Sequence, residues 1–63
     1  MTATARYRRY SIFVNYDNED FENSSEVFEK DGEEIPRAQV PAAVRDELDT
    51  RVQLRIFQKA GAA

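Results

Sequence analysis

Carboxylates are the side chains in this sequence whose type and spacing could do chemistry. Residues 17–34 contain nine acidic residues and one base, Lys30, which gives this segment a net charge of −8. The nine are Asp17, Glu19, Asp20, Glu22, Glu26, Glu29, Asp31, Glu33 and Glu34. Such a segment repels nucleic acid and anionic membranes, and it attracts a basic partner and speeds their encounter. The alternative is that it only keeps a small domain soluble, and composition alone leaves both readings open.

The carboxylates lack the spacing of a catalytic or metal site. A pair such as Glu33 and Glu34 needs a cleft that separates the two pKa values before it can work as acid and base. A calcium loop of the EF-hand type beginning at Asp17 would place Phe21 at the fifth position and Glu22 where glycine is needed. The sequence contains no Cys and no His, so Cys/His chemistry and imidazole or thiolate ligands are excluded. We therefore expect no enzymatic activity, no metal and no cofactor.

A basic and aromatic run precedes the acidic segment. Arg6, Tyr7, Arg8, Arg9 and Tyr10 interleave guanidinium groups with phenol rings, as nucleic-acid-binding surfaces do. The alternative is an edge strand whose tyrosines pack inward while its arginines prevent edge-to-edge association. The second interpretation is favoured because the −8 segment belongs to the same small protein. Nucleic-acid binding through Arg6, Arg8 and Arg9 remains the minor interpretation.

Alternation and turn signals predict three strands in the first half of the chain. Residues 6–16 read as one strand, with Tyr10, Ile12, Val14 and Tyr16 on one side and Ser11, Phe13 and Asn15 on the other. Residues 17–20 read as a loop that Phe21 ties to the core. Asp31-Gly32 is the dipeptide favoured in two-residue hairpin turns, and it predicts a hairpin between residues 26–30 and 33–35.

The second half of the chain predicts a helix and a last strand. Pro41 suits a helix start, and Val40, Val44 and Leu48 follow at four-residue steps, so residues 41–49 read as a short helix. Residues 51–57 alternate apolar and polar side chains and read as a strand. The expected fold class is α+β, with the element order β-β-β-α-β and one short helix packed on one face of a small antiparallel sheet of about four strands.

Length and composition set the wider expectations. The 63 residues predict a single domain, 1–63, with residues 1–5 and 59–63 frayed. No apolar run approaches the roughly 20 residues of a membrane span, and the first residues lack a signal peptide's hydrophobic stretch. We expect a cytoplasmic monomer that binds neither membranes nor, directly, nucleic acid.

The layout resembles the small phage-encoded anti-CRISPR proteins, which are tiny, acidic and free of cysteine. The resemblance spans the whole chain and rests on the acidic segment 17–34, the predicted helix 41–49 and the predicted strand 51–57. It implies a stoichiometric inhibitor in a bacterial host that imitates DNA and occupies the basic nucleic-acid groove of a CRISPR interference complex, with a type I, Cascade-like complex as the first candidate. The implied contacts are Asp17, Glu19, Asp20, Glu22, Glu26, Glu29, Glu33 and Glu34, with Phe21 as an apolar anchor.

The residues also support this function on physical grounds. Alternate residues of a strand lie about 6.8 Å apart on one face, so a folded hairpin can present carboxylates as a regular array. A fixed array loses little ordering entropy when it binds a groove built for phosphates. The competing hypothesis is a small adaptor or regulatory protein that binds a partner protein by adding a strand at a sheet edge.

Overall fold

The computed structural model describes residues 1–17 and 24–61 of the 63-residue chain. The elements follow the order β1 (Thr2–Tyr7), β2 (Tyr10–Asn15), β3 (Ser25–Lys30), β4 (Glu33–Ile35), a short 3-10 helix (Arg37–Gln39) and α1 (Ala42–Gly61). The four strands form one antiparallel sheet in the order β1-β2-β3-β4, and α1 packs on one of its faces. The α+β class predicted from the sequence is confirmed, whereas the element order is β-β-β-β-α because the last predicted strand is helical.

Two tight turns lie side by side at one end of the sheet. Tyr7 pairs with Tyr10 across the first turn, and Lys30 pairs with Glu33 across the second. The second turn is the predicted Asp31-Gly32 hairpin, with φ of 53° at Asp31 and 86° at Gly32. The N–H of Asp31 donates to the carbonyl of Arg9 at 2.9 Å, which ties the two turns together.

The core lies between the sheet and α1. Small residues on β1 let the helix approach, because Ala3 and Ala5 are buried beneath it. Val44, Leu48, Val52 and Ile56 form the inner stripe of α1 at four-residue steps. Among the described residues, the buried ones are Ala3, Ala5, Ile12, Val14, Tyr16, Phe28, Val40, Leu48, Val52 and Ile56.

The prediction of a single first strand over residues 6–16 is wrong, because the chain reverses at Arg8 and Arg9. The alternation assigned to Tyr10–Tyr16 is correct, since Ile12, Val14 and Tyr16 are buried. The turn was missed because neither residue is Gly, Asn or Asp, although Arg8 adopts a positive φ of 58°. Residues 2–5, expected to fray, instead belong to the edge strand β1.

The prediction of a strand over residues 51–57 is also wrong, and the helix predicted to end at residue 49 continues to Gly61. Alternating Val52, Leu54 and Ile56 suggested a strand, but Val52 and Ile56 extend the stripe of Val44 and Leu48. Thr50 does not interrupt the helix, because its hydroxyl donates to the carbonyl of Asp46 at 3.0 Å. Residues 59–61, expected to fray, belong to this helix, and residues 62–63 lie outside the described part.

Candidate binding site on the open sheet face

One face of the sheet is covered by α1, and the other, which we call the open face, is not covered by any described element. Strand alternation and the pairing register assign the side chains to these faces. Open-face neighbours include Thr4, Phe13 and Val27 in one row and Arg6, Ser11, Glu29 and Glu34 in the next. Val27 is 37% exposed and Phe13 is half-buried, so this face has a modest apolar centre with charged groups beside it.

Two of the predicted contact residues meet on the open face. Glu29 on β3 and Glu34 on β4 are direct cross-strand partners. Carboxylates in this position repel each other, at a cost of about 0.2–1 kcal/mol to the folded state. Among the side chains of residues 1–17 and 24–58, neither carboxylate has a basic group within 4.0 Å. The pair is therefore a negative site that the hairpin holds without an ion pair among these side chains.

The other described acids of the segment are directed elsewhere. Glu26 and Glu33 lie on the helix side of the sheet, because they alternate with the open-face residues of their strands. Glu26 accepts a hydrogen bond from the guanidinium of Arg37, which continues the β3–β4 register. Asp31 lies in the turn, 4.0 Å from Arg9 Nη1. Glu26 and Glu33 therefore do not extend the negative site, and Asp31, which lines the same depression as Glu29, is partly offset by Arg9.

Of the remaining predicted contacts, the structure describes only Asp17. Asp17 follows β2 and is six residues beyond Ser11, the neighbour of Glu29, so it lies about 20 Å away along the sheet. Glu19, Asp20, Phe21 and Glu22 lie outside the described residues. Of the nine contacts named from the sequence, the described part thus brings together two.

Basic side chains surround the opposite part of the same face. A shallow depression of about 520 Å³ is lined on its basic side by Arg6, Arg8 and Arg9, and Glu29 and Asp31 contribute to its other side. The side chain of Arg6 has no carboxylate within 4.0 Å among the residues that the structure describes. The open face therefore carries positive charge on β1 and negative charge on β3 and β4. Sequence analysis missed Arg6 as part of this face because the reversal at Arg8-Arg9 was not recognised.

The tyrosines of the basic run are not arranged as a stacking platform. Tyr7 and Tyr10 are half-buried and pack against the core on the helix side. The guanidinium carbons of Arg8 and Arg51 lie 5.3 and 4.9 Å from the centre of the Tyr7 ring. Lys30 Nζ lies 5.5 Å from the centre of the Tyr10 ring. Since the rings already contact cations and the core, this geometry fits the edge-strand interpretation better than base stacking.

The two outer strands are poor templates for adding another strand. Arg51 on α1 donates through Nη1 to the backbone carbonyl of Arg6 at 3.1 Å, which occupies part of the β1 edge. β4 is three residues long, and Pro36 follows it directly. Short, proline-terminated or covered edges are typical ways of preventing strand addition. The open face, rather than an edge, is the better candidate for contact with a partner.

A second exposed apolar feature lies on the outer surface of α1. Leu54 and Phe57 are 57% and 78% exposed and line a shallow depression with Asp49, Thr50 and Gln53. It faces away from the sheet, and none of the described carboxylates of the segment 17–34 lines it.

Other classes of site find no support in the described residues. Residues 1–17 and 24–61 contain no group of three acidic side chains placed to hold a metal ion. Within the same part of the chain, no helix has the length and apolar character needed to cross a membrane. Comparison of the chain with protein-family models, with curated proteins and with solved structures gave no match.

Proposed function

We propose that this protein is a non-catalytic binding protein that contacts a basic surface of a partner protein through Glu29 and Glu34 on its open sheet face. The cross-strand pair carries the proposal, because opposed carboxylates without an ion pair lower the stability of the free protein and gain most from a cationic partner. An Arg or Lys side chain placed between them would remove their repulsion and form charge-assisted hydrogen bonds.

The geometry supports a small contact surface rather than a long array of carboxylates that imitates the phosphates of DNA. Glu26 and Glu33 are on the other side of the sheet, and Glu26 is already paired with Arg37. The two carboxylates of the open face lie beside Phe13 and Val27, which can contact an apolar patch on the partner. The partner surface that fits is therefore basic at one end and apolar in its centre.

The resemblance to anti-CRISPR proteins provides a specific partner within this class. A CRISPR interference complex of type I holds nucleic acid in a basic groove, and occupation of that groove by Glu29 and Glu34 would exclude target DNA. The protein then acts as a stoichiometric inhibitor in the cytoplasm of a bacterial host.

The test compares two charge-reversal variants, one with substitutions on the open face and one with substitutions away from it. The double variant Glu29→Lys/Glu34→Lys should bind a type I interference complex at least tenfold more weakly than the wild type at low salt, and it should no longer compete with target DNA. Biolayer interferometry at two ionic strengths measures the affinity and its dependence on salt.

The matched control is Glu33→Lys/Asp46→Lys, which makes the same change in net charge away from the open face. This variant should bind nearly as well as the wild type. Equal losses in both variants would show that net charge alone drives the interaction, and full binding by the open-face variant would refute the proposed contact. A complex that does not bind the wild type is not the partner.

A further inference from the structure

The charges and apolar groups of the open face are arranged so that the face is complementary to itself. Arg6 lies on the outer strand β1 and Glu34 on the outer strand β4, in the same row across the sheet. Ser11 and Glu29 occupy the two inner positions of that row. In the next row the inner positions are Phe13 and Val27. Positive and negative charges thus lie at equal distances on either side of the line between β2 and β3.

We propose that two copies of this chain pack open face to open face about a two-fold axis that runs parallel to the strands between β2 and β3. This rotation places β1 of one copy over β4 of the other, and each residue keeps its position along the strand direction. Arg6 then faces Glu34 of the second copy, twice by symmetry, and Phe13 faces Val27. A two-fold axis across the strands would instead place β1 over β1 and pair no opposite charges.

The pairing accounts for two features of the single copy. Arg6 and Glu34 have no ion pair among the described residues, and Glu34 opposes Glu29. Sheets that pack face to face lie about 10 Å apart, a gap that extended arginine and glutamate side chains can span. Each new pair lies on an outer strand, where water still reaches it, so the charges are not deeply desolvated.

The size of the face sets the strength of the dimer. Three strands of six residues are each about 20 Å long, the three-residue β4 is about 10 Å long, and at a spacing of about 4.8 Å they present roughly 340 Å² on each copy. A total of roughly 700 Å² lies below the usual area of a stable interface and is typical of weak, transient contacts. The dimer should therefore form at high protein concentration and dissociate on dilution, which differs from the monomer expected from the sequence.

Weak pairing of this kind would regulate the proposed function. The second copy covers Glu29 and Glu34, so a basic partner must displace it before binding. Only this masking role rests on the proposed function, because the self-association follows from the layout of the face alone.

A charge-swap series in analytical ultracentrifugation tests the dimer. The wild type should show a dimer fraction that rises with concentration and falls with added salt. Arg6→Glu and Glu34→Arg should each weaken the dimer about tenfold or more, since symmetry breaks two pairs at once. An equimolar mixture of these two variants should form a heterodimer with both charge pairs restored, and the double variant Arg6→Glu/Glu34→Arg should dimerise again.

Two controls keep the result specific to this face. Arg55→Glu on the helix and Glu33→Arg on the helix side of the hairpin carry the same charge changes and should dimerise like the wild type. Circular dichroism establishes that every variant is folded. A wild type that stays monomeric at all concentrations, or single variants that dimerise unchanged, would overturn the proposal.

The dimer and the proposed function can fail separately. Arg6→Glu should weaken self-association but leaves Glu29 and Glu34 in place, so it should bind a basic partner at least as well as the wild type. Loss of partner binding in Glu29→Lys/Glu34→Lys with no charge-swap rescue supports the function alone. Charge-swap rescue without partner binding supports the dimer alone.

Discussion

Arg8 is the described residue whose backbone conformation is least expected for its type. Its φ of 58° belongs to the left-handed region, which costs a non-glycine residue about 1 kcal/mol unless it is Asn or Asp. The turn is nevertheless held by the hydrogen bond from Asp31 to the carbonyl of Arg9 and by the contact of Arg8 with the Tyr7 ring. Another residue at position 8 would therefore give this turn greater stability.

Arg8→Asn should raise the free energy of unfolding by several tenths of a kcal/mol to about 1 kcal/mol, because asparagine tolerates a positive φ at little cost. Urea denaturation followed by circular dichroism measures the change. Arg9→Asn is the matched control, since Arg9 does not have a positive φ and should gain no comparable stability. An unchanged midpoint for Arg8→Asn would show that the arginine contacts offset the backbone cost.

At the scale of elements, α1 shows how one pattern of apolar residues, that of residues 51–57, fits both a strand and a helix. A strand over residues 51–57 would bury Val52, Leu54 and Ile56 together. The helix buries Val52 and Ile56 and leaves Leu54 57% exposed. The difference arises because a helix repeats every 3.6 residues and a strand every two.

Ile56→Ala should destabilise the protein by about 2–4 kcal/mol through loss of a buried side chain. Leu54→Ala should change stability by no more than about 0.5 kcal/mol. Thermal and urea unfolding of both variants measure the contrast. Similar large losses at both positions would indicate that residues 51–57 pack as a strand.

The elements also show what the sequence could predict and why. The Asp31-Gly32 hairpin was predicted because its turn chemistry is local and specific. The helical structure of residues 51–57 was not predicted, because seven residues with apolar groups at alternate positions also fit a strand. The helix becomes evident only when Val44 and Leu48 are counted with Val52 and Ile56 as one stripe. The Arg8-Arg9 reversal has no local signal at all, because tertiary contacts stabilise it.

The candidate site was partly predictable for a related reason. Composition located the negative charge in residues 17–34, and the hairpin signal placed Glu29 and Glu34 on adjacent strands. Which carboxylates share a face depends on register, and a shift of one residue moves every side chain to the other side. The open-face role of Arg6 depends on the unpredicted β1–β2 turn, so it required the structure.

At the scale of the whole molecule, a helix packs on one face of the sheet, and the residues of β1 beneath it are small. Ala3 and Ala5 are 2% and 4% exposed beneath α1, and their size fixes how closely the helix approaches β1. Thr4 lies between them in sequence and points to the open face. Adjacent positions of one strand therefore contribute differently to stability.

Ala5→Leu should destabilise the protein by about 1–3 kcal/mol, because extra methylene groups in a packed core force the two layers apart. Thr4→Leu adds a large apolar group to the same strand on the other face and should change stability by no more than about 0.5 kcal/mol. Chemical denaturation compares the two variants. A comparable loss for Thr4→Leu would mean that the open face is packed in the folded protein.

The division between a covered and an uncovered sheet face has a practical consequence for engineering. The side chains that hold the layers together all project toward α1, so positions such as Thr4, Phe13 and Val27 can be randomised together with little risk to folding. The protein is in this respect a ready display scaffold. Combinatorial libraries at open-face positions could be selected for binding to new ligands while the core residues stay constant.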